Sequence, residues 1–221
     1  WELRNVRIAG FDTDGLRLED SFYGAAYSSD FLYNGTGVNG FSAANVDGFY
    51  NCKFQYNVFG TKNIQNTFGC AWEGQWKSGA YYNVLAIQVR HHSPYFEANN
   101  ASNTANESDI YCDASGSLHP ASVALYDPYF ASGGVYSAKP VAAHNFYGRA
   151  TRLLTYGAMR VFNASPQVYA LFNLIGATEM YDFSAHSHAF ANYGAFTATS
   201  GGYRDRSGNP TAVTLSNATL T

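Results

Sequence analysis

The sequence predicts an all-β chain wound as a right-handed parallel β-helix, and three observations carry that reading. Two segments match each other at an offset of 23 residues. Aromatic residues, glycine and asparagine are abundant while charge is scarce, and the apolar residues fall in short runs bounded by turn signals. Together these describe a solenoid of short strands.

The repeat sets Asp30-Phe31-Leu32-Tyr33-Asn34-Gly35-Thr36-Gly37 over Lys53-Phe54-Gln55-Tyr56-Asn57-Val58-Phe59-Gly60. Phe31 aligns with Phe54, Tyr33 with Tyr56, Asn34 with Asn57 and Gly37 with Gly60. A period in the twenties with a phenylalanine, an asparagine three positions on and then a glycine is what stacked β coils produce, one coil per period. The phenylalanines are expected to point inward and stack at the inter-strand distance of ~4.8 Å. The asparagines should form an amide ladder at a corner, and the glycines should supply positive φ where the chain bends. All of these are scaffold residues.

The elements follow in order. Leu16 and Leu18 alternate with polar neighbours as a half-buried strand does, completing a first coil that begins near Asn5. Gly37 to Phe41, Val46 to Phe54 and Val58 to Gly60 build the next. The third copy is expected at Trp76, 22 residues beyond Phe54. Val84 to Val89 is the strongest plain strand, and Tyr95-Phe96-Glu97-Ala98-Asn99 is another aromatic-then-asparagine corner. Residues 98–108 hold no large apolar group and read as an exposed loop. Strand signal resumes at Ile110 to Cys112, at Val123 to Tyr126 and at Pro128-Tyr129-Phe130. The organisation expected is regular coils over 1–130, less regular β coils over 131–200, and a cap or linker over 201–221. Because the chain opens at Trp1 with neither an initiating methionine nor a leader pattern, it reads as an internal or C-terminal piece of a longer protein.

Pro94 to Asn99, the insertion after it, Asp109-Ile110-Tyr111 and Val123 to Phe130 resemble successive coils of the pectate-lyase-like parallel β-helices of bacteriophage tailspikes and tail fibres. With the 23-residue repeat, the resemblance spans roughly residues 5–130. It implies a homotrimer in the virion tail, alongside other tail proteins, that recognises polysaccharide on a bacterial surface and in some members cleaves it. The same resemblance implies that any catalytic pair comes from separate coils and leaves no local motif.

Composition narrows the partners. Thirteen Lys plus Arg against 16 Asp plus Glu give a net charge of −3, and no basic cluster offers a nucleic-acid surface. No apolar run reaches the ~18 residues of a spanning helix, so no membrane insertion is expected. Neither a phosphate loop nor a dinucleotide fingerprint occurs, so no cofactor is expected. Cys52, Cys70 and Cys112 fit no zinc or redox spacing and read as buried small hydrophobes. Five N-x-[ST] sequons, at Asn34, Asn100, Asn106, Asn163 and Asn217, keep a secreted or cell-surface location open.

Three constellations carry chemistry. Asp47 and Glu73 come from neighbouring coils: the 23-residue offset stacks Cys70 on Asp47 and Glu73 on Tyr50, so a carboxylate pair for glycan cleavage is one reading and two solvated carboxylates the other. Trp72-Glu73-Gly74-Gln75-Trp76 is the most site-like pentapeptide. Trp72 and Trp76 can stack on sugar rings and Gln75 can bond hydroxyls, although strand parity also permits the tryptophans to face inward. His91-His92 and His186-Ser187-His188 lack a convergent third ligand and read as turn or surface residues, with no metal site. The functional expectation is a receptor-binding module that holds glycan, with a glycan depolymerase as the second class and a non-viral β-helical adhesin as the third. A homotrimer is expected because the aromatic residues exceed what a thin interior holds, with contacts around Tyr169 to Tyr193.

Overall fold

The computed structural model describes residues 1–42, 48–83, 88–102, 108–113 and 122–131, and beyond them the strands His144–Gly148, Arg152–Gly157, Arg160–Val161, Phe172–Leu174, Glu179–Ser184, Tyr203–Arg204 and Pro210–Thr211. Each coil gives one strand to each of three parallel sheets. Sheet 1 stacks Glu2–Arg4, Ala25–Tyr27, Gly48–Tyr50, Asn66–Phe68, Gln88–His92, Ser122–Tyr126, Arg152–Gly157 and Glu179–Ser184. Sheet 2 stacks Arg7–Ala9, Asp30–Leu32, Lys53–Gln55, Ala71–Glu73, Tyr95–Glu97, Tyr129–Phe130 and Arg160–Val161. Sheet 3 stacks Asp14–Glu19, Thr36–Ser42, Phe59–Lys62, Ala80–Tyr82, Ser108–Cys112, His144–Gly148 and Phe172–Leu174. Every strand pairs with the equivalent strand one coil away, so the fold is a parallel β-helix, with no helix among the described residues. Tyr203–Arg204 continues sheet 1 in parallel, and Pro210–Thr211 pairs antiparallel to it.

The core follows from strand alternation. Sheet 2 turns Phe31, Phe54, Trp72, Phe96 and Phe130 inward in register, all fully buried. Their ring centroids follow one another at 5.5, 5.2, 4.7 and 5.4 Å in that order, the Phe54–Trp72 pair tilted and the others stacked. The third copy therefore rests on Trp72, 18 residues after Phe54, and not on Trp76. The coil shortens at one place: the chain passes from Ser42 to Gly48 between sheets 3 and 1 in one coil, but from Lys62 to Asn66 in the next. The constant offset fails there, and Tyr50 pairs with Phe68 while Glu73 pairs with Gln55. Val84 to Ile87 lie outside the described residues; the strand that follows them is Gln88–His92.

A buried amide ladder runs up the corner between sheets 2 and 3. The side-chain oxygens of Asn34, Asn57, Gln75 and Asn99 accept the backbone N–H of Phe11, Asn34, Asn57 and Gln75, at 3.1, 2.8, 2.9 and 3.4 Å. Their amide nitrogens donate to the carbonyls of Ile8, Phe31, Phe54 and Trp72. Each member thus ties its own rung to the one before it. Asn99 and Asn100 are buried, as is Ser108, so the stretch 98–108 read as an exposed loop has buried ends.

Glycine acts differently from the expectation. Gly37 and Gly60 do not have positive φ; a Cβ on either would lie 2.5 Å from the carbonyl oxygen of Gly60 or Gly79 respectively. They are glycine because the next rung passes too close for a side chain. The left-handed conformation falls instead on Tyr33, Tyr56, Gly74 and Ala98, one residue before each ladder amide, and on Asn5, Ser28, Asn51, Gly69, Ser93 and Asp127 after each of the first six sheet 1 strands.

Asn57→Ala removes both a buried acceptor and a buried donor, and is expected to cost roughly 2–6 kcal/mol at about 1–3 kcal/mol per orphaned group. Urea unfolding followed by circular dichroism measures it, and a loss under about 0.5 kcal/mol would show that the ladder does not hold the rungs.

Candidate functional site

Sheet 3 presents a different face outward. With Ala80 and Tyr82 buried, Tyr81 points away from the core; with Ile110 and Cys112 buried, Tyr111 does the same. Asn39, Lys62, Tyr81 and Tyr111 are in register on successive rungs. Together with Phe59, Asn63, Lys77, Asn83 and Asp113 they line a groove of about 490 Å³ along the helix axis.

Rings form its floor. Phe59 and Tyr81 lie 5.3 Å apart between centroids, and Tyr81 and Tyr111 5.4 Å, each pair tilted. The Tyr81 and Tyr111 hydroxyls donate to the two oxygens of Asp113 at 2.7 and 3.3 Å, which fixes both rings. Asn63 donates to Asn83 at 2.9 Å, and the Asn83 backbone N–H returns to Asn63 at 3.0 Å. Lys62 Nζ stands 4.2 Å from the Phe59 ring centroid and Lys77 Nζ 5.3 Å. A row of ring faces edged by amides, two ammonium groups and a carboxylate suits a polyhydroxylated chain, whose apolar ring faces stack while its hydroxyls bond.

The residues singled out from sequence are placed elsewhere. Trp72 is fully buried in the sheet 2 stack, its indole N–H bonding Thr61 Oγ1 at 3.2 Å, and cannot touch a sugar. Gln75 is equally buried and serves the amide ladder. Trp76 is 56% exposed but is not among the residues lining the groove. Asp47 lies outside the described residues. Glu73 sits on the outer face of sheet 2, bonded by Gln55. Its in-register neighbour there is Glu97, one rung or ~4.8 Å away along the backbone. The Tyr95 hydroxyl donates to Glu97 at 2.6 Å, and that bond together with burial holds its proton well above the usual phenol range. A constant 23-residue offset hides this second carboxylate, because the coil between Glu73 and Glu97 has 24 residues and the one before it 18.

His91 is neither a turn nor a surface residue. It is fully buried on sheet 1, with Thr67 Oγ1 2.7 Å from Nδ1 and the Tyr82 hydroxyl 2.9 Å from Nε2. Because the Tyr82 hydroxyl donates to the Ile64 carbonyl at 2.8 Å, it accepts from Nε2–H, and Thr67 then donates to Nδ1. All partners are satisfied with a neutral ring, and burial lowers its pKa to about 3. His92 faces outward, stacked between Phe68 and Tyr126 at 4.6 and 4.3 Å. The three cysteines are free and buried, and burial pushes the Cys70 and Cys112 thiols well up, as inert core residues. Among the described residues no group of three or more His, Cys, Asp or Glu could hold a metal ion. His186 and His188 lie outside the described residues.

Comparison with known protein families, with curated proteins and with solved structures finds no match to this chain.

The neutral His91 makes a directional prediction. Below pH 6.5 the unfolded chain takes up a proton that the folded chain refuses until about pH 3, so stability is present above that window and lost as pH falls through it. At full separation this amounts to on the order of 5 kcal/mol. Urea unfolding between pH 7 and pH 4 should show a steeper loss for the wild type than for His91→Gln. Equal slopes would mean that His91 is not kept neutral by the fold.

Proposed function

We propose that this β-helix is a glycan-binding module, the receptor-binding part of a phage tailspike or tail fibre that holds polysaccharide on the host surface. The observation that carries the reading is the sheet 3 groove, where the Phe59, Tyr81 and Tyr111 rings follow one another along the axis. Successive rungs advance by ~4.8 Å, so the groove offers a repeating chain a contact at each step. In this reading the molecule works as a homotrimer in the virion tail, where three equivalent grooves convert weak single contacts into avidity.

A second reading has its own observation. Glu73 and Glu97 share the outer face of sheet 2 on adjacent rungs, beside the Tyr95 hydroxyl. Glycoside hydrolysis uses two carboxyl groups about 5–9.5 Å apart, one as acid and one as nucleophile or base. In that reading the chain is a depolymerase working on a different face from the groove.

One set of measurements separates them. Under the binding reading, Tyr81→Ala weakens calorimetrically measured affinity for host surface polysaccharide about tenfold, roughly 1.4 kcal/mol, and no new reducing ends accumulate on incubation. Reducing ends that appear with the wild type and vanish with Glu97→Gln would establish the second reading.

A further inference from the structure

The groove is not electrically uniform along its length. At one end two ammonium groups share one ring: Lys62 Nζ and Lys77 Nζ lie 4.2 and 5.3 Å from the Phe59 centroid, and Lys62 is also 5.9 Å from the Tyr81 ring. The chain has only 13 Lys plus Arg in 221 residues, so two of them on one ring is a concentration of scarce charge. The ring quadrupole attracts each cation and so holds two like charges near each other. An acid group placed beside them is attracted by both positive charges. At the other end stands Asp113, held by the Tyr81 and Tyr111 hydroxyls.

From this we infer that the glycan is acidic, with the acid group of one sugar seated against Lys62 and Lys77 and the chain running over Tyr81 and Tyr111 toward Asp113. The inference rests on the groove being the glycan site. Phe59 is a positioning residue here: with Lys62 over its face, it fixes where the ammonium groups stand, and Tyr81 and Tyr111 supply the stacking surface. Tyr111 lies two rungs beyond Lys62, ~9.6 Å along the axis and about the length of a disaccharide. Asp113 accepts hydroxyl or amide N–H donors and repels a second acid. The preferred repeat therefore alternates an acidic with a neutral sugar.

The test uses a panel of bacterial surface polysaccharides, acidic and neutral, with affinity read by calorimetry. Those bound should carry an acid group in the repeat. Carbodiimide and borohydride reduction of the carboxyl groups of a bound polymer should cost at least tenfold in Kd. The Lys62→Met, Lys77→Met double variant, verified as folded by circular dichroism, should lose the same factor on the native polymer and nothing on the reduced one. Raising salt should weaken the native polymer's binding and leave the reduced polymer's unchanged. Phe59→Leu, which keeps both lysines, should fall between wild type and the double variant. Equal affinity for native and reduced polymers, or a double variant that binds native polymer normally, overturns the acidic-glycan inference and leaves the groove reading standing. If no polymer binds, or Tyr81→Ala changes no bound polymer's affinity, the groove reading falls and the inference with it.

Discussion

A stack of parallel coils is possible only if the backbone groups buried at its corners find partners, and the amide ladder of Asn34, Asn57, Gln75 and Asn99 supplies them. One side chain accepts an N–H from the preceding rung's ladder residue and donates to the carbonyl of that rung's core residue. Those carbonyls belong to Phe31 and Trp72 among others, so the polar ladder sets the height at which the aromatic rings stack. The ladder and the ring stack are two consequences of a single register. Gly15, Gly37, Gly60 and Gly79 complete it from the sheet 3 side by letting neighbouring backbone come within the space of a methyl group.

Much of this register is legible in the sequence, within limits set by chain length. Phe31 and Phe54 stack as expected, at 19° between ring planes, and Asn34 bonds Asn57 directly at 3.1 Å. Phe96 with Asn99, and Phe130, continue the same columns. Reading fails where the coil contracts. Once the corner after Lys62 loses residues, a fixed offset sends attention to Trp76, while the ladder position is held by a glutamine three residues after Trp72. The physical requirement is an inward aromatic followed three positions on by a primary amide. That rule identifies Trp72 with Gln75 where a spacing rule does not. Glycine misleads in a similar way, since close approach and positive φ both select it and sequence alone does not distinguish them.

No local pattern in the sequence encodes the groove. Phe59, Tyr81 and Tyr111 come from three coils of unequal length; Tyr81 and Tyr111 are simply the outward residues of their strands, and Phe59 opens a strand whose other outward residue, Lys62, is the one in register with Tyr81. What sequence does contain is their flanking residues, such as Ala80 with Tyr82 and Ile110 with Cys112, whose inward orientation forces the residue between them out. His91 shows the converse: a polar residue beside another histidine looks superficial, yet Thr67 on the neighbouring sheet 1 strand and Tyr82 across the core on sheet 3 give it a complete set of partners inside the core.

The corner between sheets 1 and 2 holds two residues in every coil described, from Asn5-Val6 through Asp127-Pro128, the first always left-handed where the backbone is described. The other two connections vary. Between sheets 2 and 3 the chain takes three residues after Leu32 but ten after Glu97, and between sheets 3 and 1 it takes three after Lys62 but nine after Cys112. Variation in the length of the connections between described strands is therefore confined to the two borders of sheet 3, which are the banks of the groove. If the groove holds glycan as proposed, such a molecule can change what it grips by lengthening or shortening its banks while the two-residue corner opposite keeps every rung in place. Altered specificity then requires insertions and deletions at two seams and leaves the packed interior untouched.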